Sequence, residues 1–180
     1  MGAMLKLLLV RHGETDWNRE YRIQGHTDIP LNEKGRAEAR RVKEELEGTK
    51  IDFCFSSPLK RTMETAEIIL EGRDVPIHKD ERIIEMCYGE VEGRSRHDEL
   101  YLSRRSQFAL GYPGGESYLH VAARVYPFLE EMKEKYEGKT ILVVSHGGVS
   151  RVFESYFRGM GNEEFVAYGI PNCEVKEYDY

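Results

Sequence analysis

At 180 residues, with 40% hydrophobic and 32% charged side chains, the chain is long enough to bury a substantial core and excludes disordered and fibrous classes. A formal net charge of −6 argues against a nucleic-acid or anionic-membrane surface, so a local gathering of arginine and histidine points to a small anionic ligand. The scattered Cys54, Cys87 and Cys173 lack CxxC spacing, which excludes a disulfide framework or zinc knuckle, and no apolar run approaches the roughly 20 residues that cross a bilayer.

Met1-Gly2-Ala3 ahead of Met4 reads as an expression scar, and Leu7-Leu8-Leu9-Val10 is too short for a signal-peptide core, so the expected compartment is the cytoplasm. Lys6–Val10 reads as a buried strand. The polar stretch Asp16–Leu31, with Gly25 and Pro30, reads as a long functional loop. Asn32 is placed to cap a helix reaching about Leu46, with Gly35 an imperfection inside it. Asp52–Ser56 is a second strand, with Cys54 a small core residue. Ser57 and Pro58 then supply a cap and an N1 proline for a helix through Leu70. Val75–His78 is a short third strand, Arg82–Glu92 is mixed, and Arg94–Tyr112 is charged and irregular with room for a short helix.

Beyond the break at Pro113-Gly114-Gly115, Glu116-Ser117 opens a helix to about Tyr136. Its apolar face is Val121, Val125, Phe128, Leu129 and Met132, and Pro127 predicts a kink or break. Thr140–Ser145 is the clearest strand, and Gly147-Gly148 leads into a helix ending near Gly159. Glu174–Tyr178, with its charged alternation, reads as an edge strand. Without repeat or linker, this alternation predicts one domain over residues 1–180. The fold class is α/β, a three-layer sandwich with a mostly parallel sheet, helices on both faces and an edge strand near the C-terminus.

Three strand ends carry the chemistry. Arg11-His12-Gly13-Glu14-Thr15 follows the first strand, Ser56-Ser57-Pro58 with Arg61 follows the second, and Ser145-His146-Gly147-Gly148 follows the strand at 140–145. Ligands of open α/β sheets collect beyond the carboxyl ends of the strands. Arginine offers a permanent planar cation for phosphate or carboxylate, and histidine a nitrogen that works as nucleophile or proton carrier near neutral pH. If the strands are neighbours, Arg11, His12, Arg61 and His146 converge on one anion-sized pocket.

Together these motifs resemble the histidine phosphatase superfamily, also called phosphoglycerate mutase-like. The likeness extends through Trp17-Asn18, Gln24-Gly25, Asp28-Ile29-Pro30-Leu31-Asn32, Thr65-Ala66, Glu85 with Tyr88-Gly89, Glu92-Gly93 and Gly114-Gly115-Glu116-Ser117. The resemblance implies His12 as nucleophile forming a phosphohistidine, with Arg11, Arg61 and His146 clamping the phosphoryl oxygens. Glu85 then serves as general acid and base. Asn18, Gln24, Gly25, Gly147 and Tyr88 are implied as substrate-binding positions, and neither metal nor cofactor is implied. HExxH spacing and a Walker P-loop are absent.

Glu81, Glu90 and Glu92 stand close enough in sequence to Glu85 to compete for its role. Glu14 reads as a support, Trp17 and Tyr88 as pocket wall or core, and His26 as able to reach substrate. His78, His97 and His120 read as surface or packing residues. The cluster Arg94, Arg96, His97, Arg104 and Arg105 reads either as solvated surface or as a lid with a second anionic contact. The implied function is a phosphomonoesterase acting on a small phosphorylated metabolite, with no nucleic-acid or membrane partner and the oligomeric state open. A cofactor-dependent phosphoglycerate mutase and an inactive phospholigand-binding module are the alternatives. Family mutases usually carry a longer insertion than Gly93–Pro113, which favours the phosphatase. An α/β-hydrolase reading fails because no G-x-S-x-G elbow exists.

Overall fold

A computed structural model of the protein describes residues 2–180, so Met1 of the expected expression scar lies outside the described residues. Five strands form one sheet: β1 (Lys6–Arg11), β2 (Phe53–Ser56), β3 (Ile77–Lys79), β4 (Thr140–Ser145) and β5 (Val175–Asp179). Their order is β3-β2-β4-β1-β5, with every pair parallel except β1 and β5. The antiparallel β5 is the edge strand expected from its charge alternation.

The apolar runs in β1 and β4 are uninterrupted because both faces of the sheet are covered. Leu7, Leu9, Ile141 and Val143 face one core with Val125, Phe128 and Phe153. Leu8, Val10, Leu142 and Val144 face the other with Ala39, Val42, Ala66 and Ile69. Helices α2 (Glu33–Glu45) and α3 (Lys60–Leu70) thus cover one face, and α5 (Tyr118–Lys135) and α6 (Gly147–Phe157) the other. Short helices α1 (Asp16–Arg19), α4 (Glu99–Arg104) and α7 (Asn162–Ala167) lie in the connections. Among the described residues, no helix is long and apolar enough to cross a membrane.

Several local expectations change. The stretch Asp16–Leu31 is not all loop, because Thr15 and Asn18 build a reciprocal cap that starts α1. Ser57 caps no helix: α3 begins at Lys60, with Leu59 in the cap position and no side-chain cap. Helix α5 is not broken at Pro127, which sits on its exposed side where the freed carbonyl can meet water. Helix α7, in a segment with no clear periodicity, was not expected.

Gly35 has a packing reason. A Cβ there would stand 2.2 Å from the Glu14 carbonyl oxygen, and one at Gly13 would stand 2.4 Å from that of Gly35. The turn leaving β1 therefore packs backbone-to-backbone against the start of α2. Alanine at position 35 would gain about 1 kcal/mol of helix propensity, but the forced separation costs about 1–3 kcal/mol. Gly35→Ala is expected to lower stability in urea unfolding; a rise in the midpoint would show that the contact relaxes freely.

Candidate active site

The sheet order brings β2, β4 and β1 side by side, and parallel register levels their ends: Arg11 pairs with Ser145, and Ser56 with Val144. The chain leaves each strand still bonded to its neighbour. His12 N–H donates to the Ser145 carbonyl at 3.1 Å, and Ser57 N–H to the Val144 carbonyl at 3.1 Å.

His12 is 2% exposed, and its Nδ1 lies 2.7 Å from the Gly13 carbonyl oxygen. A carbonyl only accepts, so Nδ1 carries the proton and Nε2 keeps its lone pair. The ring of His146 lies 5.2 Å away, centroid to centroid, with Nε2 at 2.7 Å from Ser57 Oγ. Ser57, misread as a cap, thus holds His146. Burial, reinforced by the nearby Arg61 charge, pushes both histidines well below their ordinary pKa.

Arg61 is wholly buried, its Nη1 donating to the Thr27 carbonyl at 3.0 Å and its Nη2 to that of Gly25 at 2.6 Å. Burial pulls its pKa down to about 10, against the Glu85, Asp28 and Glu92 charges that hold it up, so it remains a cation at neutral pH. Burial likewise lowers the Arg11 pKa. Arg11 Nη1 donates to the Ile170 carbonyl at 2.9 Å.

A cavity of about 190 Å³ opens beside these groups. Arg11, His12, Asn18, Gln24, Glu85, Tyr88 and Gly147 line it, as the sequence predicts. Arg61 and His146 are not on its lining surface and stand buried next to His12. Gly25 is also off the wall; its carbonyl anchors Arg61, and a Cβ would come within 2.6 Å of the Met86 carbonyl oxygen.

The local polarity is one-sided. Asn18 Oδ1 accepts from Thr15 N–H and Asn172 Nδ2, which turns its NH₂ into a donor, and Gln24 Oε1 accepts from Thr15 Oγ1 at 2.7 Å. Arg11 Nε, Gln24 Nε2 and Arg61 Nε are buried N–H donors without a partner in the protein. Each such group costs about 1–3 kcal/mol unless an acceptor arrives, so an anion is the complement of this set.

Glu85 is 5% exposed, with Oε1 accepting from Met86 N–H at 2.8 Å and Oε2 from Gly148 N–H at 3.1 Å. Each oxygen retains capacity for one more partner. A Cβ at Gly148 would stand 2.5 Å from Glu85 Oε1, so that position admits only glycine without displacement. Its rivals are differently placed. Glu81 and Glu90 are exposed, and Glu92 is spent on Thr27 and Tyr88 N–H.

Arg96 and Arg105, from the ambiguous basic cluster, line the cavity, whereas Arg94 pairs with Asp98 at 3.3 Å and neither His97 nor Arg104 lies on the wall. Tyr101 and Arg151 also line it and were missed. Arg151 stands one helical turn beyond Gly147, a spacing that could have identified it. His26 is exposed and bonds the Glu85 carbonyl at 2.7 Å rather than lining the cavity. Glu14 supports the entry to α2, accepting from Asn32 and Lys34. Trp17 carries the Arg22 guanidinium 4.1 Å above its ring, off the cavity wall. Among the described residues, no group of three His, Cys, Asp or Glu side chains is arranged to hold a metal ion.

The sequence pattern described as "Histidine phosphatase superfamily (branch 1)" matches residues 7–180. The chain is 35% identical over 177 residues to phosphoserine phosphatase 1 of Hydrogenobacter thermophilus, covering 94% of this chain and 84% of the relative. It is 37% identical over 185 residues to a probable phosphoglycerate mutase of Salmonella choleraesuis, covering 98% and 86%. Among solved structures, a mycobacterial glucosyl-3-phosphoglycerate phosphatase in complex with VO3 superposes with a TM-score of 0.85 at 27% identity, covering 96% of this chain and 91% of that one.

The buried histidines make stability depend on pH. In the unfolded chain each takes up a proton near pH 6.5, while in the fold both stay neutral well below that. Between the two pKa values the unfolded state binds more protons, so stability falls as pH drops below about 6.5, by up to about 1.4 kcal/mol per unit for each histidine. Nitrogen NMR titration is expected to find His12 and His146 neutral at pH 6. Protonation of either ring at its ordinary pKa would contradict the buried geometry.

Proposed function

The chain belongs to branch 1 of the histidine phosphatase superfamily, and from that membership we propose a phosphomonoesterase that hydrolyses a small phosphorylated metabolite through His12. The observation that carries the reading is the His12 ring on the cavity wall, proton fixed on Nδ1 by Gly13, beside a set of buried donors with no acceptor of their own. In this scheme Nε2 attacks phosphorus, the P–O ester bond breaks, and Glu85 gives a proton to the departing alkoxide. Water then attacks the phosphohistidine, Glu85 takes a proton back, and inorganic phosphate leaves.

Arg11, Arg61 and His146, with Asn18, Gln24 and the Gly147 N–H, receive the phosphoryl oxygens. Transfer of this kind depends on positioning and charge rather than on covalent help from the protein. Tyr88 walls the leaving-group side, and the Gly25 carbonyl acts by holding Arg61. The relatives carry both phosphatase and mutase names; the short Gly93–Pro113 stretch supports water as the final acceptor. The single family match over residues 7–180 supports one catalytic domain, for which the cytoplasm is the expected compartment.

Phosphate release from a panel of small phosphoesters tests the reading. His12→Ala is expected to abolish turnover and the base-stable phosphohistidine trapped by rapid quench. Arg61→Ala is expected to lower kcat by about 10²–10³. Glu85→Gln should cost about 10²–10⁴ with an alkyl ester, and much less with p-nitrophenyl phosphate, whose leaving group departs without a proton. Undiminished hydrolysis by His12→Ala would sink the mechanism. Phosphoglycerate isomerisation outpacing hydrolysis would install the mutase in its place.

A further inference from the structure

Arg124 stands behind the cavity rather than on its wall, and it spends every N–H that a guanidinium has. Nε and one Nη2 hydrogen grip the two oxygens of Glu116, each at 2.9 Å. Nη1 donates to the carbonyls of Arg82 and Ile84 at 2.8 and 2.7 Å, and the other Nη2 hydrogen to that of Glu85 at 3.1 Å. Five donors thus meet five acceptors, and nothing remains for a ligand. The arginines of the wall differ. Arg11 and Arg105 each bond one main-chain carbonyl, of Ile170 and Val166, and Arg151 bonds the Tyr168 carbonyl and the Tyr118 hydroxyl, so each keeps N–H groups to offer.

Glu116 completes the grip. Its Oε2 also accepts from Cys87 N–H at 2.8 Å, and its own N–H donates to the Cys87 carbonyl at 2.8 Å. Residues 84–87 belong to no helix or strand, so this pair bonds main-chain groups that a ladder would otherwise have bonded. The Ile83 carbonyl turns the other way and accepts from Ser145 Oγ at 2.8 Å, at the end of β4 next to His146. The segment is therefore fastened to α5 on one side and to the sheet on the other. Between these anchors the Glu85 carboxylate reaches the first turn of α6, where Gly148 N–H donates to it. Burial works against a charged Glu116, but Arg124 and Cys87 N–H outweigh it and hold its pKa below the usual carboxylate range, so the pair stays ionised at neutral pH.

We propose that Arg124, oriented by Glu116, is a positioning residue for proton transfer: it holds the main chain of Glu85 so that the carboxyl serves the leaving oxygen, and it takes no part in holding phosphate. Charge alone does not suffice for this. A lysine presents three donors at a point and cannot bond three carbonyls and a carboxylate at once. A displacement of about 1 Å in a reacting group is enough to cost about 10²-fold in rate. The inference rests on the phosphatase reading for what Glu85 does; the hold on Glu85 itself is testable without turnover.

Arg124→Lys is expected to lower kcat/KM for an alkyl phosphate by about 10²-fold. Phosphohistidine formation from p-nitrophenyl phosphate, followed by rapid quench, should stay near the wild-type rate, since that leaving group needs no proton. In a Glu85→Gln background the same substitution should cost nothing further, because residues that act as a unit are not additive. Equal falls for the two esters, or the full loss repeated on top of Glu85→Gln, would make Arg124 a support of the fold and overturn the proposal. If the lysine variant does not fold, Glu116→Gln leaves the guanidinium in place with a weaker grip and carries the same comparison, with the same outcomes. A second measurement needs no catalysis. The Gly148 amide resonance should follow the titration of Glu85 in the wild type, and that response should shrink in Arg124→Lys. An unchanged response overturns the proposal even where both esters are hydrolysed. A diminished response beside a wild type that hydrolyses neither ester upholds the positioning and sinks the phosphatase reading alone.

Discussion

A guanidinium with no exposed surface is costly to hold inside a fold, and Arg61 is held there by two backbone carbonyls and the fields of Glu85, Asp28 and Glu92. Much of the surrounding structure follows from that placement. Its bonds to Gly25 and Thr27 fasten the first long connection onto α3, which closes one side of the cavity. Its charge helps keep His12 and His146 neutral. The loop that it fastens also bears Gln24, whose unpaired NH₂ belongs to the same set of donors. A single buried cation thereby shapes the pocket and sets the ionisation of the groups beside it.

The carboxylate side is secured by an equally specific arrangement. Arg124 donates to the carbonyls of Arg82, Ile84 and Glu85, while Glu116 accepts from Arg124 and from Cys87 N–H. His26 bonds the Glu85 carbonyl from the opposite connection. The segment that carries Glu85 has almost no regular secondary structure, yet its backbone is pinned at four successive stations. Side-chain clamps here replace the ladder that a strand would have supplied.

How much of this was legible in the sequence depended on the kind of signal. Continuous apolar runs ending in Arg11-His12 and Ser145-His146 announce buried parallel strands and reactive ends together, so the sheet and the core of the site could be read directly. Helix α1 escaped because four residues give no periodicity and its cap pairs Thr15 with Asn18 rather than with an acid. Ser57 looked like a cap because serine before proline usually is one; tertiary contact with His146 outranked that local preference. Gly35 looked like a flaw until the backbone on its far side was known. Arg96 and Arg105 could not be separated from Arg94 and Arg104 by composition, because only the path of the chain decides which guanidinium turns inward.

The carbonyls of Val166, Tyr168 and Ile170 accept from Arg105, Arg151 and Arg11, and this shared anchorage on one short segment has an evolutionary consequence. Three arginines from distant parts of the chain are gauged against main-chain atoms of one short segment, not against side chains that mutation can remove. Point substitutions along that segment leave the gauge in place, whereas inserting or deleting one residue there would shift its marks relative to His12. Descendants of such a scaffold can thus acquire a different reach by altering loop length, while every arginine stays where it was in the sequence.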